Sequence, residues 1–198
     1  MYRHLGLYNF LDNYDVNRIA STLKHKAHLF PLYGLLFTIP GIPALYYGSE
    51  FGIQGERTCT SDQPLRPVMP GGVPGLGENR PLVKAITSFI TIRKNTPALQ
   101  QGTFRQLYLS HEQFAFMREI TEREVRDGSL QKGAGTSRHI LVAVNASEKQ
   151  VRISIPRETL QSGYRSWKDL LTGEALQVSD EAMKIPLYSS WLRILQGS

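Results

Sequence analysis

The sequence has a single cysteine, Cys59, so an internal disulfide framework is excluded and the redox compartment stays open. Cys59 lies in a Gly/Pro-rich loop with no His or second Cys near it in sequence, which reads as a bystander thiol. Long apolar runs are also missing. The longest, Gly34 to Tyr47, is broken by Pro40, Gly41 and Pro43, which excludes a transmembrane helix there; no membrane partner is expected. Met1-Tyr2-Arg3-His4 is not followed by an apolar h-region, so no signal peptide is legible. That absence says little if the true start of the protein lies upstream, and localisation stays open with the cytoplasm favoured. Runs of Lys or Arg are absent as well. The net charge of +6 comes from dispersed residues such as Lys24, Arg57, Arg66, Arg105 and Arg126, without a zinc-finger, RNA-recognition or basic-zipper motif, so no nucleic-acid partner is expected. No phosphate loop, nucleotide fingerprint, Ser-His-Asp arrangement or internal repeat is present. His25 and His28 stand three apart on a helix with no third ligand at useful spacing, which suits surface or packing histidines better than a metal pair.

What is present is an ordinary globular composition, 41% apolar and 20% charged over 198 residues, enough for one large domain or two small ones. Residues 5 to 11 read as a short buried strand, rich in Leu, Tyr and Phe with no helical period. It stops at Asp12-Asn13-Tyr14-Asp15-Val16-Asn17-Arg18. Polar groups at the exit of a strand are where α/β proteins place their chemistry, because the strand is rigid and the loop can vary. The same residue types also satisfy turns and cap helices, so the residues alone leave site and turn open. A helix follows, with Ser21 or Thr22 as N-cap and apolar positions Leu23, Ala27, Phe30, Tyr33, Leu36 and Phe37; Pro31 should kink it or mark its restart. Ile42 to Tyr47 is a second buried strand, stopped by Gly48 and followed by Glu50. Strand, helix and strand with short joints make a βαβ unit with two parallel neighbours.

A long Gly/Pro-rich loop covers residues 55 to 80, and an amphipathic helix runs from Pro81 to Lys94. From about residue 99 the period becomes two. Candidate strands are Thr103–Leu109, Gln113–Ile120, His139–Asn145, Val151–Ile155, Trp167–Leu170, Leu176–Val178, Ala182–Leu187 and Trp191–Leu195, which predicts an antiparallel sandwich or barrel. Glu119 to Arg138 reads as a long exposed hairpin loop. The expected class is α/β followed by all-β, divided as residues 1–98 and 99–198. A parallel sheet of two strands has open edges and cannot bury both faces by itself, so residues 1–98 look like part of a larger βα structure.

Two segments carry a family resemblance. Phe10-Leu11-Asp12-Asn13-Tyr14-Asp15 resembles the F-x-x-N-H-D motif of the α-amylase superfamily of glycoside hydrolases, and Gly41-Ile42-Pro43-Ala44-Leu45-Tyr46-Tyr47-Gly48-Ser49-Glu50 resembles that family's G-I-P-x-x-Y-Y-G-x-E segment at the eighth barrel strand. Ile92 to Leu99 looks like the end of barrel helix eight, and Asp169-Leu170-Leu171-Thr172-Gly173-Glu174 looks like part of the family's C-terminal sandwich. The resemblance implies the last two βα units of a (β/α)8 TIM barrel plus an antiparallel β-sandwich. It implies that Asp15 is the third catalytic carboxylate, which hydrogen-bonds sugar hydroxyls and stabilises an oxocarbenium-like transition state. Asn13, Tyr14 and Arg18 are then the substrate-binding residues, Asn13 positioning the loop and Arg18 pairing with a loop carboxylate, while Glu50 is structural. The implied activity is retaining hydrolysis of α-1,4-glucosidic bonds in starch, glycogen or maltodextrins, so the partners are an α-glucan or maltooligosaccharide and the N-terminal part of the barrel.

The sequence departs from the family twice. Tyr14 stands where the family has His, a donor to a sugar hydroxyl; Tyr keeps a donor but carries it further from the backbone. No G-x-R-x-D segment and no second glutamate site supply the nucleophile and general acid that a retaining glycosidase needs, so these are expected upstream and the isolated chain is expected to be inactive. No cofactor is expected in this chain; calcium, held in many family members, has its usual ligands earlier in the barrel. The alternative is a non-catalytic carbohydrate-binding or interaction module that stacks sugars on Tyr164, Trp167 or Trp191, unless those aromatics are core.

Overall fold

The computed structural model describes residues 6–69, 80–120 and 138–198. Met1 to Leu5, the Pro70–Asn79 part of the Gly/Pro-rich loop, and most of the Glu119–Arg138 hairpin loop lie outside the described residues. The chain divides into two compact units, one taking Met1–Phe37 and Gly41–Ile90, the other Thr38–Pro40 and Thr91–Ser198.

The first unit contains β1 (Tyr8–Asn9) and β2 (Ile42–Pro43), which pair in parallel with Tyr8 opposite Ile42 and Asn9 opposite Pro43. The Ile42 amide donates to the Leu7 carbonyl at 2.7 Å and the Ala44 amide to Asn9 at 2.8 Å. The βαβ order is as read from the pattern, but the strands are much shorter, and they are not buried. Leu7 is 55% exposed and Tyr8 68% exposed. A pair of strands lacks neighbours to cover its edges, which is why apolar strand residues stand in solvent here. Gly41 enters β2 at φ +114°, and a Cβ there would sit 2.5 Å from the Leu7 carbonyl, so only glycine allows the two backbones to meet.

Between the strands lie α1 (Ile19–Thr22), a 3-10 turn at Lys26–His28, and α2 (Leu29–Thr38). The helix therefore restarts at Leu29, and Pro31 falls in the first turn of α2, where its missing N–H has no intrahelical acceptor to lose. The expected N-cap at Ser21 or Thr22 is replaced by Arg18 in the cap position, with no cap from its own side chain. Tyr33, Leu36 and Phe37 of α2 are buried, and Phe30 packs on Phe89 of α3 (Arg80–Asn95) with ring centroids 5.2 Å apart.

In the second unit, α4 (Pro97–Gln101) leads into β3 (Thr103–Leu109), β4 (Gln113–Glu119), β5 (His139–Asn145), β6 (Val151–Pro156), β7 (Ser166–Asp169), β8 (Ala175–Gln177), β9 (Ala182–Leu187) and β10 (Trp191–Gly197). A six-stranded antiparallel sheet has the order β3-β4-β5-β10-β7-β8, and β6 pairs with β9 in a second sheet. Strand residues facing inward alternate with exposed ones along β6 and β9, the period-two signature. Their Ile153, Ile155, Met183 and Ile185 meet Met117, Leu141, Trp167 and Leu195 of the larger sheet in one core. Each such side chain contributes about 1.5–3 kcal/mol by leaving water. A short helix, α5 (Arg157–Leu160), joins β6 to β7 and was not evident from the sequence pattern. Among the described residues, no helix is long and apolar enough to cross a membrane.

Candidate functional site

The exits of β1 and β2 come together in the first unit because the strands are parallel, so their carboxyl ends point the same way. Asp12, Asn13 and Asp15, which follow β1, take different positions. Asp12 is 2% exposed; its Oδ2 accepts the Ile19 amide at 2.9 Å, and its Oδ1 accepts the Ser49 hydroxyl at 2.6 Å. It thereby caps α1 from seven residues away and ties the first exit to the second. Asn13 makes a local turn, its Oδ1 accepting the Asp15 amide at 2.7 Å and the Val16 amide at 3.2 Å. Asp15 is left outside that network, with its side chain 56% exposed and Oδ1 3.8 Å from Arg66 Nη2. A rigid base with an exposed carboxylate above it is the arrangement a ligand-facing acid needs.

Arg18 is a correction to the expected substrate contact, because the structure buries it completely. Its Nε lies 3.9 Å from Asp12 Oδ2, the pairing with a loop carboxylate read from the sequence, and Nη2 donates to the Tyr47 carbonyl. The guanidinium stacks on Tyr46 at 4.5 Å and Tyr47 at 5.5 Å from the ring centroids. It supports the exit of β2 from beneath and has no surface to offer a ligand. Gly48 makes room for it: at φ +82° a Cβ would come within 2.9 Å of Arg18 Nη2 and 2.5 Å of Ile53.

Tyr14 is 53% exposed, its ring edge-on to Tyr46 at 6.4 Å. Tyr33 on α2 donates to the Ser49 carbonyl at 3.1 Å; burial first, and the Asp12 charge second, push its phenol well above the usual range. Glu50 follows the exit of β2 in a 3-10 turn, and its Oε2 is buried without a donor among the described residues. Sequence reasoning missed Arg66. It lies far downstream in a loop without periodicity, and its guanidinium comes within 5.4 Å of the Tyr14 ring centroid. Ser49 was missed as well, since its role as donor to Asp12 exists only once β1 and β2 are side by side. His25 and His28 pack ring to ring at 5.6 Å, and among the described residues no group of three or more His, Cys, Asp or Glu side chains is placed to hold a metal ion. In the second unit Trp167 is fully buried, which removes it as a stacking platform, and Tyr164 packs edge-on against it at 5.8 Å.

No protein-family model matches the chain. Neopullulanase 2 of Thermoactinomyces vulgaris is 28% identical over 187 residues, a match that covers 92% of this chain and 28% of that protein. A cyclomaltodextrin glucanotransferase of Bacillus licheniformis is 24% identical over 111 residues, covering 56% of this chain and 14% of its own length. Among solved structures, the α-amylase of Geobacillus thermoleovorans complexed with acarbose superposes with a TM-score of 0.75 at 17% identity, covering 96% of this chain and 38% of that one. AmyP in complex with maltose gives a TM-score of 0.76 at 17% identity, with 98% and 41% covered. The chain thus spans 28% of the length of the neopullulanase it matches across almost all its own residues. Along nearly all of its length this chain is thus similar to proteins of the α-amylase superfamily.

Proposed function

We propose that this chain is the C-terminal portion of a retaining α-glucan hydrolase acting on α-1,4-glucosidic bonds of starch, glycogen or maltodextrins. Its first unit supplies the last two βα units of a (β/α)8 barrel, and its second unit is the family's C-terminal sandwich. The observation that carries this reading is Asp15, an exposed carboxylate above a buried Asp12–Ser49–Arg18 base at the carboxyl ends of two parallel strands. The names of its relatives, which include a neopullulanase and a cyclomaltodextrin glucanotransferase, and the acarbose and maltose complexes of its structural neighbours support the substrate class.

In this reading Asp15 accepts hydrogen bonds from ring hydroxyls at the cleavage subsite. Those bonds strengthen as positive charge develops on the sugar, which is how they lower the barrier. Asn13 sets the direction of Asp15 by holding its amide. Asp15 is one of three carboxylates the reaction requires, and the nucleophile and general acid come from the N-terminal part of the barrel. Calcium, where an intact enzyme holds it, is bound by residues outside this chain.

The test is turnover of a chromogenic maltooligosaccharide. The isolated chain is expected to give none; completed with a polypeptide carrying the N-terminal part of the barrel, it gains turnover, and Asp15→Asn then lowers kcat by at least about a hundredfold. Turnover by the isolated chain, or full activity of the completed Asp15→Asn variant, defeats this assignment. Of the three aromatics a purely binding module would use, Trp167 is in the core, while Tyr164 and Trp191 are half-buried.

A further inference from the structure

The registers of β4, β5 and β10 set Gln113, Asn145 and Trp191 side by side in one row, at the end of the sandwich that carries the β3–β4, β5–β6 and β9–β10 turns. Asn145 is fully buried and ties the three turns together. Its Oδ1 accepts Gln113 Nε2 and the Ser147 amide at 3.0 Å each, and its Nδ2 donates to the Lys149 and Tyr188 carbonyls at 2.8 Å each. The Ala146 amide adds a bond to the Glu112 carbonyl at 2.8 Å, and the Ser190 amide one to the Ser147 carbonyl at 3.0 Å. Ser190 is held at φ +48°, a left-handed conformation that a residue with a Cβ keeps only where its surroundings fix it. On this pinned frame stand two aromatic rings. Tyr188 is 53% exposed and Trp191 is half-buried, edge-on to each other with centroids 6.0 Å apart and planes at 85°. Lys149 lies beside Tyr188, because their carbonyls share one amide nitrogen. Neither the Tyr188 hydroxyl nor the Lys149 ammonium makes a hydrogen bond among the described residues.

We propose that Tyr188 and Trp191 form a glucan-binding platform on the sandwich unit, with the Tyr188 hydroxyl and the Lys149 ammonium as donors to sugar oxygens. The choice of sugar rests on the α-glucan reading; the platform itself rests on the turn geometry. A pyranose ring is amphipathic: its C–H face packs on an aromatic ring while hydroxyls at its rim take hydrogen bonds. Two rings at a right angle offer one face to stack on and a second wall to abut. An end already pinned by Asn145 loses little freedom when a ligand arrives, so even a small contact area can hold a sugar. Asp15 and this platform lie on different compact units, so a polymeric substrate gains a second point of attachment, which raises its effective concentration at the first.

The experiment titrates the full chain with maltoheptaose and follows its two indole N–H signals by NMR, assigned with Trp191→Phe. Trp167 is fully buried and is the internal reference. The Trp191 signal is expected to move with added sugar while that of Trp167 stays in place. In Tyr188→Ala, a change confined to an exposed turn side chain, the Trp191 titration is expected about tenfold weaker. Asp15→Asn should leave it within about twofold of the unchanged chain. A Trp191 signal that does not move, or one that titrates equally in Tyr188→Ala, overturns the platform. So does a Trp191 response that disappears in Asp15→Asn, since it would then report on the other unit. Failure here is separable from failure of the hydrolase reading. A silent Trp191 beside turnover by the completed enzyme removes the platform alone, and a responsive Trp191 beside absent turnover removes the hydrolase reading alone.

Discussion

Arg193→Met is the perturbation whose size the structure defines best. Arg193 on β10 is almost wholly buried, and Nη1 donates to Asp169 Oδ2 at 2.9 Å and to Glu174 Oε2 at 2.7 Å, while Nε donates to the Pro186 carbonyl at 2.8 Å. Asp169 is fully buried, and apart from Arg193 its carboxylate accepts the Leu171 amide at 3.0 Å. Methionine keeps much of the apolar stem but removes every donor. Glu174 is 48% exposed and turns to water at little cost, whereas Asp169 keeps a buried charge without its counter-ion. One-sided removal of a buried pair costs about 3–5 kcal/mol. The assay is urea unfolding followed by tryptophan fluorescence. Both tryptophans of the chain, Trp167 and Trp191, lie in the sandwich unit, so the signal reports that unit alone. With a slope of about 1–3 kcal/mol per molar urea, the midpoint should fall by at least about 1 M. Adding Asp169→Asn neutralises the stranded charge, so the double variant should be less destabilised than the sum of the two single ones by about 0.5–3 kcal/mol. An unchanged midpoint for Arg193→Met, or strict additivity, would show that the pair does not hold the β7–β10 corner.

Gly41→Ala should break the β1–β2 pairing through its clash with the Leu7 carbonyl, read as faster hydrogen exchange at the Ile42 and Ala44 amides while the sandwich amides keep their protection. Asp12→Ala removes the acceptor of the Ile19 amide and the carboxylate beside the buried Arg18; we expect loss of protection at Ile19 and local destabilisation of about 3–5 kcal/mol, and an unchanged Ile19 amide would refute it. His139 on β5 has its pKa lowered, by burial above all, with Glu119 acting the other way. A depressed histidine binds fewer protons folded than unfolded, so stability is full above the unfolded value of 6.5 and falls as pH drops below it. His139→Gln should therefore flatten the acid limb of a stability–pH curve, and an identical limb would count against this linkage. Trp167→Ala should cost about 3–5 kcal/mol by emptying the centre of the sandwich core, whereas an exposed stacking residue would tolerate it.

How much of this could be read from the chain depends on the range of the interaction concerned. Strands β3, β5 and β9 carry the bounds expected from alternation, because period two records which side chains face a core. Helix α2 restarts where Pro31 requires, and the parallel order of β1 and β2 follows from strand, helix and strand. The short α5 carried no signal, since four residues cannot display a helical period.

At the site the division is sharper. The sequence by itself determined that carboxylates and amides crowd the exit of one strand, that a second strand of the same family pattern follows, and that period-two segments come after. Residue types alone did not rank Asp12 against Asp15, which only the family resemblance singled out, or a buried Arg18 against an exposed Arg66. Composition treats those residues alike, and their difference is one of solvent access created by contacts between distant segments. Ser49 reaching Asp12, Tyr46 and Tyr47 enclosing Arg18, and the loop around Leu65 carrying Arg66 onto Tyr14 are all such contacts. Only the tertiary structure decided which carboxylate became part of the frame and which was left facing solvent, because burial of a charge is fixed by the partners that fold around it.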